Sequence, residues 1–217
     1  MNDFQKMGGI MALIHAAAYI VGIGLYLTLL NPILDATPKQ YLALLPDYKN
    51  LLYVWIFIAY WISGFCLIVV ALAFYDRLKD GFPVWIQTGT VLGLIWAGLI
   101  IASGNLMLHD FDEVANLYGK DPVQAETAWL TLSTVENGII SGNELIGGLW
   151  VLLISWVALQ QGMLPKTLNY FGVLIGIAGI TSVVPAFAEA AITIFALSMI
   201  VWFAWLGVVL LRNKSTP

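Results

Sequence analysis

The chain has 217 residues, of which 60% are hydrophobic and only 10% are charged, whereas about 25% of the residues in a soluble domain carry a charge. We therefore expect lipid to be its solvent. The formal net charge of -4, without a block of Lys or Arg, excludes the phosphate-neutralising surface of a nucleic-acid-binding protein. The single cysteine, Cys66, excludes an internal disulfide and a thiolate metal site.

Six apolar segments each approach or exceed the roughly 20 residues that a helix needs to cross the hydrocarbon core. Lipid offers no partner for free backbone groups, so segments of this kind must be helical. The sequence therefore predicts an all-α polytopic membrane protein whose residues 1–217 form a single six-helix transmembrane domain. The predicted spans are 8–30, 51–75, 84–108, 135–160, 167–184 and 190–211.

The distribution of Lys and Arg predicts how the chain is oriented in its membrane. Most basic residues fall on one side of the predicted spans, and the positive-inside rule places that side in the cytoplasm. We therefore expect both termini inside, an acidic outer face and the bacterial cytoplasmic (inner) membrane as the location. The inner set is Lys6, Arg77, Lys79, Lys166, Arg212 and Lys214, and the outer set is Lys39, Lys49 and Lys120.

Two outer connections carry helix-start signals. Thr37 followed by Pro38 is typical of an N-cap and first helical position, which predicts a short helix on the outer surface. In the outer loop 109–134, Asp121 and Pro122 repeat this pattern and predict a partly helical loop. This second helix could continue directly into the fourth span.

Glycines four residues apart predict where the helices pack most closely. Such GxxxG pairs allow two helix backbones to approach each other in a membrane. They occur in the third, fourth and fifth spans, which we therefore expect at the centre of the bundle. The pairs are Gly89 and Gly93, Gly138 and Gly142, and Gly172 and Gly176.

The predicted fourth span carries a stripe of polar side chains in the segment VENGIISGNELIGG, residues 135–148. Successive residues of a helix advance by about 100°, so residues seven apart nearly eclipse. If the span begins near residue 135, Glu136 lies at the outer interface and Glu144 lies roughly 13 Å deeper, near the midplane. The polar members of the stripe are Glu136, Asn137, Ser141, Asn143 and Glu144.

A carboxylate near the midplane costs roughly 2.5–3.5 kcal/mol and normally faces a partner, a cavity or the bundle interior. The stripe therefore favours a ligand or cation site centred on a protonatable Glu144, in a polar cavity that opens to the outer face. His15, at a similar predicted depth, could form a proton-sensitive pair with Glu144. The alternatives are a Glu144 that holds helices together through hydrogen bonds and a neutral His15 bonded to a carbonyl.

The outer end of the third span offers a possible divalent metal site. In LMLHDFDEV, His109 lies three and four residues before Asp112 and Glu113, so a helix would place all three on one face. The alternative is a solvated acidic loop. We predict no other cofactor, because a haem pair needs two histidines at one depth and a retinal Schiff base needs a lysine within a span.

The segment GGLWVLLISWVALQQGMLPKTLNYFGVLIGIAGI resembles a family of small bacterial multi-pass membrane proteins of unknown function. The resemblance covers residues 147–180: a glycine-rich helix with tryptophans, the turn QGMLPK and a second helix with recurring glycines. It implies the multi-pass architecture and assigns no catalytic residue.

Three functions remain open at this point. The polar stripe favours binding or transport of a small solute or cation. A non-catalytic accessory or assembly protein would instead direct the stripe toward another membrane subunit or a second copy of the chain. A membrane enzyme would use His109 and nearby carboxylates on a lipid or small amphiphile at the outer face. Membrane lipid is the one partner that all three share.

Overall fold

The computed structural model describes residues 3–212, except the side chains of residues 110, 112, 140 and 141. This part of the chain consists of helices joined by short turns and contains no strand. The elements in chain order are α1 (Asp3–Leu25), a π-helical segment (Tyr26–Leu30), α2 (Asn31–Leu34), α3 (Pro38–Ile56), a second π-helical segment (Phe57–Ile62), α4 (Ser63–Leu78), α5 (Pro83–Tyr118), α6 (Pro122–Gln161), α7 (Lys166–Thr181) and α8 (Ala188–Arg212).

Five helical stretches are long and apolar enough to cross a membrane, and the multi-pass helical architecture is therefore confirmed. The stretches are Asp3–Leu34, Pro38–Leu78, Pro83–Tyr118, Pro122–Gln161 and Ala188–Arg212. The sixth predicted span corresponds to α7, which has 16 residues. Its rise is about 24 Å, less than the roughly 30 Å of a hydrocarbon core. A sixth crossing stays a prediction.

The two connections with predicted helix starts have different outcomes. The short surface helix that begins after Thr37 is not separate, because α3 continues through Pro46 and the second π-helical segment into α4. Gln40 Oε1 accepts a hydrogen bond from the Thr37 backbone N–H at 3.1 Å, as in a capping box. The loop 109–134 is almost entirely helical, and its second helix continues into the fourth span as α6, as the sequence suggests.

The start of α6 depends on an N-cap that the sequence identifies. Asp121 Oδ1 accepts hydrogen bonds from the backbone N–H groups of Val123 and Gln124, both at 3.1 Å. We expect Asp121→Ala to destabilise the first turn of α6 by about 1 kcal/mol, because two N–H groups lose their acceptor. Hydrogen exchange of these amides should accelerate in Asp121→Ala and stay near the wild-type rate in Asp121→Asn. Equal exchange in both variants would contradict this role.

Both ends of the described chain lie at one end of the bundle, which we call the terminal end. There the Gln5 side chain donates to the Leu210 carbonyl oxygen at 2.8 Å, which joins the start of α1 to the end of α8. The Gln161 side chain donates to the Leu78 carbonyl oxygen at 2.8 Å, which joins the ends of α6 and α4. The opposite end, where α5 and α6 extend furthest, is the loop end.

The apolar interior has two parts. The larger part lies toward the terminal end and contains the buried rings of Trp96, Trp150, Trp202 and Phe203. The smaller part lies toward the loop end, where α2 and α3 pack against the extended ends of α5 and α6. Tyr60, in the second π-helical segment, packs against both parts. The junction between the two apolar clusters is therefore at the level of Tyr60.

Glycine allows α6 and α7 to pack backbone against backbone. A Cβ atom on Gly148 would lie 2.9 Å from the Gly176 carbonyl oxygen and 2.9 Å from the Gly179 Cα atom. Ordinary contacts are longer, so no side chain fits there. The predicted close packing at Gly176 is confirmed, and Gly148 and Gly179 extend it.

The other two predicted glycine pairs have different outcomes. A Cβ atom on Gly93 would lie 2.6 Å from the Trp150 indole nitrogen and 2.9 Å from the Ala71 Cβ atom, so the pair in α5 packs closely, as predicted. For Gly138 and Gly142 the prediction is wrong within the described part of the chain: a Cβ atom would meet no described neighbour within 4 Å at the first and only Leu99, at 3.9 Å, at the second. This part of α6 extends beyond the end of α7 and lacks that neighbour.

Candidate functional site

A cavity of about 260 Å³ lies among α1, α3, the π-helical segments, α5, α6 and α8. We call it the Glu144 cavity. Its wall is mostly aromatic and aliphatic, and Glu144 is the only acidic side chain among the described residues that line it. The polar wall residues are Glu144, Asn143, Tyr19, Tyr26 and Tyr60, and the other aromatic ones are Trp55, Trp96 and Phe195.

Small residues place the aromatic rings around this cavity. A Cβ atom on Gly147 would lie 2.7 Å from the Trp96 ring and 2.9 Å from the Phe195 ring, so only glycine leaves room for both rings below Glu144. On the other side, the Trp55 indole N–H donates to the Gly22 carbonyl oxygen at 2.9 Å. This hydrogen bond holds α1 against α3 and fixes the Trp55 ring in the wall.

Both π-helical segments adjoin the Glu144 cavity. Tyr26 begins the first, and Tyr60 belongs to the second. A π-helical turn inserts one residue into a helix, which rotates the following side chains and is frequent at functional sites. The sequence stripe did not reveal these wall residues. The available signal was the presence of Tyr19, Tyr60 and Trp96 well inside the apolar segments, away from their ends.

The Glu144 carboxylate has no cationic partner in the described part of the chain, where no Lys or Arg side chain pairs with it. It lies close enough to Tyr19 and Tyr60 for electrostatic interaction with both hydroxyl groups. Next to it, the Asn143 Oδ1 atom is buried without a hydrogen-bond partner. Among the described residues, the Glu144 carboxylate therefore has no donor from a neighbouring helix, and the amide oxygen of the adjacent wall residue Asn143 is buried without a partner.

The structure gives the height of Glu144 along the bundle. A Cβ atom on Gly179, near the end of α7, would lie 2.5 Å from the Glu144 carbonyl oxygen, so the residue is level with the end of α7. The helical rise puts it about 26 Å from the end of α6 at Gln161. The midplane position assumed a span that begins near residue 135, whereas α6 itself starts at Pro122. The depth of Glu144 in a membrane therefore stays a prediction.

A second pocket, of about 220 Å³, lies further along α6 toward the loop end. We call it the loop-end pocket; Glu136, Asn137 and Ser133 are among its wall residues. Glu136 and Glu144 are eight residues apart, or about 12 Å along the helix. The Tyr60 hydroxyl interacts electrostatically with both carboxylates. The structure thus distributes the predicted stripe between two neighbouring pockets, with Tyr60 close to each.

His15 does not line the Glu144 cavity. Its Nδ1 atom donates to the Ser63 carbonyl oxygen at 3.0 Å, since a carbonyl can only accept. The imidazole packs against Phe203, with ring centroids 4.1 Å apart, and against Tyr19, at 4.8 Å. His15 is therefore one helical turn from the cavity and in contact with its wall through Tyr19.

The predicted metal residues are not brought together by the described side chains. His109 and Glu113 are both exposed on α5, while the Asp112 side chain lies outside the described residues. No group of three His, Cys, Asp or Glu side chains that could hold a metal occurs in the described part. The Ser141 side chain is also outside it. The metal site and the place of Ser141 in the stripe stay predictions.

Comparison with known proteins identifies a family. No curated protein and no solved structure matches the chain. The family described as "Domain of unknown function (DUF4386)" matches residues 7–213. The resemblance, stated from residues 147–180, is thereby confirmed and extends over nearly the whole sequence. The chain, a multi-pass helical membrane protein, belongs to the DUF4386 family.

Proposed function

We propose that this protein binds a small cationic solute in the Glu144 cavity and carries it across a bacterial cytoplasmic membrane. The single observation that supports this function is the Glu144 carboxylate, which lies in a largely aromatic cavity without a cation from the described chain. In a membrane such a group is unfavourable unless a cation, a proton or water compensates it. The solute cation would supply this compensation while it occupies Glu144, and its passage would carry one positive charge across the membrane.

The positions of the two pockets support access from the loop end. Glu136 and Asn137 in the loop-end pocket precede Glu144 along α6, and Tyr60 is close to both carboxylates. The basic residues Lys6, Arg77, Lys166 and Arg212 lie at the terminal end, which by the positive-inside rule faces the cytoplasm. A cation would therefore enter from outside, attracted first by Glu136 and then held at Glu144.

Transport would require a second conformation. Between the Glu144 cavity and the terminal end, the rings of Trp96 and Phe203 pack with centroids 6.5 Å apart, and those of Trp150 and Phe203 with centroids 6.2 Å apart. These rings close the path in the described conformation. Release to the cytoplasm would need α8, which carries Phe203, to move relative to α5 and α6. Cation binding at Glu144 could favour that movement only if its affinity differed between the two conformations.

Charge movement in reconstituted vesicles tests this function. Vesicles containing the purified full chain are adsorbed on a solid-supported membrane and exposed to jumps of NaCl, KCl or phenyltrimethylammonium chloride. We expect a current with at least one of these cations that falls at least tenfold in Glu144→Gln, because the amide cannot hold a cation or release a proton. Asp80→Asn, which changes an exposed carboxylate in the turn between α4 and α5, should leave the current unchanged.

The same experiment can overturn the proposal. A current of the same size in Glu144→Gln and the wild type would remove Glu144 from the path, and the absence of a current with all three cations would reject transport. An accessory subunit would give no current and would purify with a stoichiometric membrane partner.

A further inference from the structure

We infer that the ligand of the Glu144 cavity is an organic ammonium ion, with its nitrogen between Glu144 and the aromatic rings and an apolar body of about ten non-hydrogen atoms, judged from cavity size. This inference rests on the proposed function, since it names the chemical class of the solute at the same site. An organic ammonium ligand differs from an inorganic cation, which would also neutralise a lone carboxylate.

The aromatic wall is the first reason. Trp55 and Tyr60 pack edge to face with ring centroids 5.4 Å apart, and Trp96 and Phe195 pack with centroids 6.1 Å apart at an angle of 58°. These four rings come from three continuous helical stretches, and all adjoin the cavity. Rings that enclose a cavity beside a carboxylate are the usual recognition chemistry for alkylated or primary ammonium groups.

The small number of oxygen ligands is the second reason. Ca²⁺ takes six to eight oxygen ligands, and Mg²⁺ requires a nearly octahedral set. Among the described residues of the cavity wall, Glu144 supplies the one carboxylate and Asn143 supplies the one side-chain amide. The described side chains contain no cluster of three acidic, His or Cys groups that would add more. An ammonium group needs fewer oxygens, because apolar and aromatic surface can cover its carbon substituents.

The cavity size is the third reason. A cavity of about 150 Å³ holds one benzene molecule. The Glu144 cavity, at about 260 Å³, is much larger than a bare cation and accommodates a body such as a phenylethyl group. Asn143, the residue before Glu144, also lines the cavity. Carboxylate, rings and volume thus indicate one ligand class.

Equilibrium binding to the purified full chain in lipid nanodiscs tests the inference. The probe is 2-phenylethylammonium, and its neutral partner of equal size is 2-phenylethanol. Binding is followed by the fluorescence of tryptophans, of which Trp55 and Trp96 adjoin the cavity. We expect the ammonium to bind at least tenfold more tightly than the alcohol. Glu144→Gln should abolish this difference while the alcohol still binds, which shows that the cavity is intact.

A pair of variants at Tyr60 tests the aromatic contact separately. Tyr60→Leu should weaken ammonium binding about fivefold through loss of a cation–π contact, whereas Tyr60→Phe keeps the ring and should bind nearly as the wild type does. If Glu144→Gln did not fold, this pair of Tyr60 variants would decide whether the cavity recognises an ammonium ion. Equal effects of both Tyr60 variants would contradict an aromatic contact with the cation.

The outcomes separate this inference from the proposed function. Equal affinities for the ammonium and the alcohol in the wild type would overturn the ammonium inference. If Na⁺ or K⁺ still gave a Glu144-dependent current, the proposed function would stand without the ammonium inference. Conversely, Glu144-dependent ammonium binding without any current in vesicles would support the ligand class and reject transport.

Discussion

Replacing Glu144 with methionine should stabilise the fold while it eliminates ligand binding. The carboxylate lies in an aromatic cavity without a cationic partner from the described residues, so its replacement by an apolar side chain of similar length removes an unfavourable group. We expect the free energy of unfolding to rise by about 1–3 kcal/mol, part of the cost of a charged group inside a membrane protein. A gain of this kind is characteristic of sites where function opposes stability.

Denaturation with sodium dodecyl sulfate in mixed micelles measures this effect. Glu113→Met is the matched control, because Glu113 is exposed on α5 and its replacement should change the free energy of unfolding by less than about 0.5 kcal/mol. The opposite result is informative as well. If Glu144→Met lowered stability, the carboxyl group would hold helices together through hydrogen bonds, and the cavity would lose its proposed role.

Gly148→Ala should destabilise the protein strongly. A Cβ atom at this position would meet the backbone of Gly176 and Gly179 at 2.9 Å, and backbone atoms cannot turn aside as a flexible side chain can. α6 and α7 would have to separate along their contact. We expect a loss of about 1–3 kcal/mol, typical of inserting a methyl group into a packed interior. α7 has only 16 residues and depends on this contact with α6.

Gly98→Ala is the control for this substitution. Gly98 is exposed on α5, and a Cβ atom there would meet nothing within 4 Å. Its replacement should leave stability unchanged or raise it, because alanine has a higher helix propensity than glycine. Thermal unfolding in detergent, followed by tryptophan fluorescence, compares the two variants. Equal melting temperatures would show that α6 and α7 can relax and that their close contact contributes little.

The polar stripe illustrates what a one-dimensional pattern can and cannot determine. Helical periodicity correctly places Glu136 and Glu144 on α6, and the structure places both in pocket walls. The pattern could not show that two pockets divide the stripe, because the other walls of both pockets come from different helices. Nor could it show that His15 bonds to the Ser63 carbonyl oxygen instead of approaching Glu144.

Glycine spacing shows the same limit. The pairs at Gly93 and Gly176 pack closely, whereas Gly138 has an open surface despite identical spacing. A helix backbone can approach only a neighbour that is present at the same height. The length of α7 decides whether a neighbouring helix is present at the height of Gly138, and the residues around Gly138 contain no information about that length.

The sequence by itself determined the solvent, the helical class and the family of this protein. These properties depend on composition, on the length of apolar segments and on residues that are close in the chain, and they need no knowledge of neighbours. The tertiary structure alone decided which side chains surround Glu144. Four helices and two π-helical segments bring aromatic rings to one carboxylate, and the positions of those rings depend on helix heights and rotations that short-range patterns do not specify.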